Sequence, residues 1–159
     1  MKTTRNLIAV AALSVLASAA SAKIIASGNY PFNFSYAVNP TFLPLSAGGA
    51  TTFTFNATKA GRYVLTFSGE CSTDAPAGNT AAWVEIDLVV NGVTVAPTVG
   101  TSDAFCGANG TLGFDGWVRP SITTVVSLLA GANTLRIKGG FQAGATAGWL
   151  SDTSWVIHQ

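Results

Sequence analysis

The stretch WVEIDLVVNGVTVAP (Trp83–Pro97) decides the fold of this 159-residue chain. Val84, Ile86, Leu88 and Val90 recur with period two, and Trp83, Glu85, Asp87 and Val89 fill the alternate positions. That is the spacing of a strand with one apolar face, not of a helix. Asn91-Gly92 follows at once, and both residues tolerate the positive φ that a tight hairpin turn requires. Val93–Val95 returns from the turn, and Pro97, which has no N–H to give to a ladder, ends the pairing.

The same alternation continues on both sides. Upstream, Thr51–Phe55 places Phe53 and Phe55 on one face. After a turn at Ala60-Gly61, Arg62–Ser68 aligns Tyr63, Leu65 and Phe67, and the parity carries Cys71 to their side. Ser72–Thr80 is polar and reads as a loop. Val99–Gly116, with glycines at 100, 107, 110, 113 and 116, reads as a long irregular loop with at most a short strand. Downstream, Ser121–Leu129 is β-branched, Ala130–Asn133 is a turn, and Thr134–Lys138 alternates. Gly139–Gly148 reads as a glycine-rich link to Trp149-Leu150. Ser154–His158 closes the chain with Trp155 and Ile157 on one face, which makes Trp155 a core or interface residue. Lys23–Ser35 is poor in core residues and reads as an extended arm or first edge strand. No segment after Ala22 has a helical period. About seven to nine strands punctuated by turns predict an all-β chain, an antiparallel β-sandwich of jelly-roll type.

The first 22 residues have a different character. Lys2 and Arg5 precede an apolar run from Leu7 to Ala17, and Ala20-Ser21-Ala22 is a small-x-small cleavage site. This is the pattern of a secretory signal peptide, and the run is too short to span a bilayer. The expected organisation is a cleaved leader at 1–22 and a single domain at 23–159, secreted to the periplasm or beyond. The formal charge of +1 includes Lys2 and Arg5. Without them the balance is slightly acidic, which leaves no basic patch for nucleic acid or anionic lipid. No later apolar run approaches the length of a membrane span.

An isolated cysteine pair in an exported chain predicts one disulfide, Cys71 to Cys106. Closing a loop of that length contributes roughly 3–4 kcal/mol on the chain-entropy model. Zinc would find only His158 as a further soft ligand, and a catalytic thiol would need a base that the penultimate residue is badly placed to supply.

Glu85 and Asp87 share a strand face at a separation that two glycosidase carboxylates use. The competing reading is a solvated face that discourages edge pairing. Asp103 and Asp115, with Asp74 and Asp152, are candidates for a structural calcium, against aspartates that cap their own turns. The aromatic residues carry the functional expectation. Trp83, Trp117 and Trp149 lie at strand edges or in glycine-rich segments, with Glu85, Asp115 and Asp152 near them in sequence. An indole offers a flat apolar face to the C–H side of a sugar, and a carboxylate beside it accepts hydroxyl protons. The alternative is that these tryptophans anchor an interface.

Five stretches carry a resemblance: AGRYVLTFSGECS (Ala60–Ser72), WVEIDLVVNGVTVAPT (Trp83–Thr98), DAFCGANGTLGFDGWV (Asp103–Val118), LAGANTLRIKG (Leu129–Gly139) and GWLSDTSWVI (Gly148–Ile157). Together they resemble small secreted bacterial proteins of unassigned function. Gly61-Arg62-Tyr63 followed by Asn91-Gly92 is similar to the trimeric heads of complement and tumour necrosis factor. Val90-Asn91-Gly92-Val93 followed by Leu128–Ile137 is similar to non-catalytic carbohydrate-binding jelly rolls, which place a ligand-facing Asn or Asp in the last loop, where Asp152 stands here. The resemblance implies a non-enzymatic module for glycan or cell-surface ligands, or else a homo-oligomer. A glycosidase is the third expectation. No resident cofactor is expected beyond the calcium just weighed.

Overall fold

The computed structural model describes residues 22–96 and 103–159. Nearly all of the predicted leader, the start of the glycine-rich segment with Val99 and Gly100, and the predicted strand-ending Pro97 lie outside the described residues. Among the described residues there are twelve strands and no helix, so none is long and apolar enough to cross a membrane.

The strands form two six-stranded antiparallel sheets packed as a sandwich. In the first sheet β5 (Gly61–Ala75) and β12 (Ala147–His158) pair along most of their length. The free side of β12 carries β1 (Ile24–Tyr30) and β2 (Phe34–Tyr36), and the free side of β5 carries β10 (Ser121–Leu128) and β9 (Gly113–Val118). In the second sheet β6 (Trp83–Val90) pairs with β11 (Gly131–Gln142). β3 (Thr41–Phe42) and β4 (Phe53–Ala57) flank β11, and β7 (Val93–Ala96) and β8 (Ala104–Gly107) flank β6.

The predicted inward faces are the inward faces. Tyr63, Leu65, Phe67 and Cys71 of β5 meet Val84, Ile86 and Leu88 of β6, Leu135 and Ile137 of β11, and Trp155 and Ile157 of β12 in one apolar core. Trp155 is a core residue, and its indole N–H donates to the Leu45 carbonyl at 3.0 Å, so its one polar atom is satisfied. Cys71 and Cys106 form the expected disulfide, with Cα atoms 6.0 Å apart. It joins β5 of one sheet to β8 of the other, a cross-sheet tie rather than a loop clip.

Several boundaries depart from the sequence reading. β5 runs on to Ala75 because Ser72 and Thr73 are buried with their hydroxyls satisfied: Ser72 Oγ donates to the Asp115 carbonyl and Thr73 Oγ1 to the Cys106 carbonyl. The segment read as an irregular loop contributes two strands, β8 and β9, whose glycines serve bends and close approaches. The expected link at Gly139–Gly148 is mostly strand, with only residues 143–146 turning between sheets. The N-terminal arm is the edge strand β1, yet Ile25, Ala26 and Phe34 pack on the core, so this region supplies more of it than its composition suggested. His158, the penultimate residue, is held in the sheet by pairing with both Ile24 and Val64.

The Asn91-Gly92 turn is tied to its neighbour by a buried amide. Asn133 is 1 % exposed; its Oδ1 accepts from the Leu129 N–H and Asn91 Nδ2, and its Nδ2 donates to the Leu129 and Gly131 carbonyls. Asn91 Oδ1 in turn accepts the Thr134 N–H. Replacing Asn133 by Ala strands several of these groups at once. The expected loss is roughly 2 kcal/mol, read as a lower urea midpoint at unchanged slope.

Candidate functional site

Strand pairing decides which of the candidate residues meet. β9, β5 and β12 lie side by side in the first sheet. Ser72 of β5 faces Trp149 across one ladder, and on the other side the register skips between Cys71↔Val118 and Thr73↔Asp115. That irregularity sets Gly116 and Trp117 opposite Ser72. The two indoles therefore converge over the outer face, with ring centroids 4.4 Å apart at 75°, an edge-to-face pair. Trp117 is 55 % exposed, Trp149 is half-buried, and Ser72 between them is fully buried.

Gly116 makes this placement possible. Its φ is +65°, and a Cβ there would drive into the Gly107 carbonyl oxygen. Only glycine lets β9 turn at this point while passing so close to β8.

Charged groups border the pair. Glu70, one outward position before Ser72 on β5, meets Arg119 at 3.7 Å, and these two residues with Trp117 and Val118 line a depression of about 420 Å³. On its other side Trp117 borders a wider hollow of about 650 Å³ between β8 and β9, lined also by Phe105, Asn109 and Phe114. Asp152 stands at the bulge between Ser151 and Ser154, exposed and with φ +46°, a conformation that Asp tolerates better than most residues. It lies on β12 three residues beyond Trp149. Trp117, Trp149 and Asp152 thus belong to one sheet and one region of it.

The other candidates lie elsewhere. Asp115 is 5 % exposed, and its carboxylate accepts the Asn109 N–H at 3.0 Å and the Thr111 N–H at 2.7 Å. It holds the 109–111 turn in place. Both oxygens face N–H donors, Asp103 is exposed, and among the described residues no group of three or more His, Cys, Asp and Glu side chains is placed to hold a metal. The calcium reading of Asp103 and Asp115 draws no support from this geometry. Trp83 and Glu85 sit on the outer face of the second sheet, away from the tryptophan pair. Trp83 is half-buried rather than open to solvent, and its indole nitrogen has no partner among the described residues. Glu85 accepts from Gln142 Nε2, and Asp87 pairs with Lys138. Both contacts lie on the outward face of the β6–β11 ladder.

Glu70 and Arg119 border the tryptophan pair, and sequence reasoning did not single them out. The signal was available: in β5 the outward parity of Arg62, Val64, Thr66 and Ser68 continues to Glu70 and Ser72 once the strand is extended.

No family model matches the chain, and no curated protein matches it. Among solved structures, the chain is similar to a beta-glucosidase from Paenibacillus barengoltzii, with 22 % identity and TM-score 0.34 over 70 % of this chain and 10 % of that one. It is also similar to a family 35 carbohydrate binding module from Clostridium thermocellum, with 16 % identity and TM-score 0.35 over 82 % of this chain and 97 % of that one. The chain thus spans only a small part of the length of the first of these.

Proposed function

We propose that this chain is a secreted, non-catalytic module that binds glycan through the outer face of its first sheet. The observation that carries the reading is the Trp117–Trp149 pair, half-open to solvent and bordered by the Glu70–Arg119 ion pair. The exposed indole supplies an apolar plane for sugar C–H groups. Glu70 supplies an acceptor and Arg119 a donor for the hydroxyls at the ring edge. The leader-like residues 1–22 and the disulfide both suit an oxidising compartment outside the cytoplasm.

The experiment is a glycan array on the protein from Lys23 onward, followed by titration of the best ligand against variants. Trp117→Ala is expected to weaken binding about tenfold, or ~1.4 kcal/mol, and Trp149→Ala by a comparable factor. Asp115→Asn, which disturbs a turn and not the face, should change affinity far less. Sugar binding that survives both tryptophan substitutions would defeat the reading.

A second reading has its own observation. Leu112, Phe114, Trp117 and Val118 are all exposed on or beside β9, an edge strand. Such an edge suits a homo-oligomer. Light scattering at high concentration separates the two, because an oligomer that dissociates on Trp117→Ala would favour the interface.

A further inference from the structure

The outer face of the first sheet does not end at the tryptophan pair. Following β5 back from Ser72, the outward residues are Glu70, Ser68, Thr66 and Val64. Register places Asn29, Ser154, Ser68 and Ser121 in one row across β1, β12, β5 and β10, and Ser27, Val156, Thr66 and Thr123 in the next. Hydroxyls pair across these rows: Ser68 Oγ with Ser154 Oγ and Thr66 Oγ1 with Thr123 Oγ1, each at 3.0 Å. A depression of about 420 Å³ lies here, lined among others by Ser27, Asn29, Thr66, Ser68 and Ser154. Neither row holds an Asp, Glu, Lys or Arg. From Ser72 to Thr66 the strand covers ~20 Å, a span of several sugar rings.

We infer that this hydroxyl-lined tract is a second section of the binding face, and that its occupant is a neutral, linear polysaccharide chain lying along β5. The inference rests on the glycan reading of the tryptophan pair and extends it. The tract is continuous with that pair on one sheet face, with the Glu70–Arg119 pair and the exposed Asp152 standing between them among the described residues. Its lack of charge matches a neutral polymer and offers nothing to an anionic one. Hydroxyl and amide groups at strand spacing present alternating donors and acceptors to sugar hydroxyls, while Val156 gives the floor an apolar point. A terminal monosaccharide or disaccharide would use the tryptophan end alone.

The test uses calorimetric titration with neutral linear oligosaccharides of increasing length, taken from the backbone type that the array selects. Affinity is expected to rise at least tenfold from disaccharide to hexasaccharide and then level off. Ser27→Arg and Thr123→Arg, both exposed positions, project a bulky side chain over the tract; they should abolish the gain with length and leave disaccharide binding unchanged. Thr66→Val, which removes a hydroxyl at constant shape, should reduce the gain. Thermal melts confirm that each variant is folded. Short and long ligands binding equally well would overturn the tract while leaving the tryptophan reading intact, and a chain with no affinity for any sugar would overturn both. Self-association abolished by Thr123→Arg would assign the face to a second copy of this chain and also overturn the inference.

Discussion

Replacing Cys71 and Cys106 together by Ala is expected to lower stability by roughly 3–4 kcal/mol and the melting temperature by roughly 10–20 °C. The loss should not be uniform over the molecule. The bond ties β5, at the centre of the first sheet, to β8, a short edge strand of the second. β8 is otherwise held to β6 only through Trp83↔Gly107, Val84↔Cys106 and Glu85↔Ala104, with a bulge in the last step. Thr73 Oγ1, which donates to the Cys106 carbonyl, loses its partner if β8 moves away. Amide exchange should therefore quicken first in β8 and β9, and only later in β5, β6, β11 and β12. Because β9 carries Trp117, the proposed glycan affinity should fall in the double variant even below its melting point. Reductant added to the native protein should reproduce both effects. Equal melting temperatures for oxidised protein, reduced protein and double variant would refute the role of the bond.

How far this architecture is legible without coordinates depends on which residues carry the pattern. β6 and the turn after it are legible because Val84, Ile86 and Leu88 are apolar at period two and Asn91-Gly92 permits the turn. The inward face of β5 is legible for the same reason. The second half of β5 is not, since Ser72 and Thr73 look like loop residues until the partners that satisfy their hydroxyls are known, and these lie on β9 and β8, 43 and 33 residues away. Losing that half of β5 also hides Glu70 from the site. Asp115 illustrates the same limit. A carboxylate beside a tryptophan has the right chemistry for a ligand contact, but its use is decided by the Asn109 and Thr111 N–H groups of its own turn. The tryptophans themselves were legible as types, and their meeting was not. Their juxtaposition follows from a register irregularity opposite Ser72, which leaves no mark in the local pattern.

Tyr36 is the position where substitution is expected to cost most, because its ring fills a slot made by glycines of both sheets. A Cβ on Gly139 of β11 would lie 2.7 Å from the Tyr36 hydroxyl oxygen, and one on Gly148 of β12 would lie 2.5 Å from its Cζ. The ring stacks on Phe34 and tilts against Phe141, and the hydroxyl donates to the Gly140 carbonyl at 3.3 Å. Tyr36→Ala empties the slot and should cost about 3–5 kcal/mol, the range for large aromatic truncations. Gly148→Ala overfills it and should cost about 1–3 kcal/mol. If the slot is the cause of both losses, the double variant Tyr36→Ala/Gly148→Ala should lose less than the sum, because the added methyl enters the space that the ring vacates. Strict additivity in urea melts would show that the two residues do not act on one another. The hydroxyl adds a separate, pH-dependent signature. Burial, reinforced by the Glu85 carboxylate, pushes the Tyr36 pKa well above its ordinary value of 10.0. Below pH 10 the phenol is neutral in both states and folding is unaffected. Above it the unfolded chain releases this proton while the folded one retains it, so stability falls by up to ~1.4 kcal/mol per pH unit. Tyr36→Phe keeps the ring in the slot and removes the proton. It should therefore flatten the alkaline limb of the stability profile while costing little at neutral pH, and an unchanged limb would exclude Tyr36 as its source.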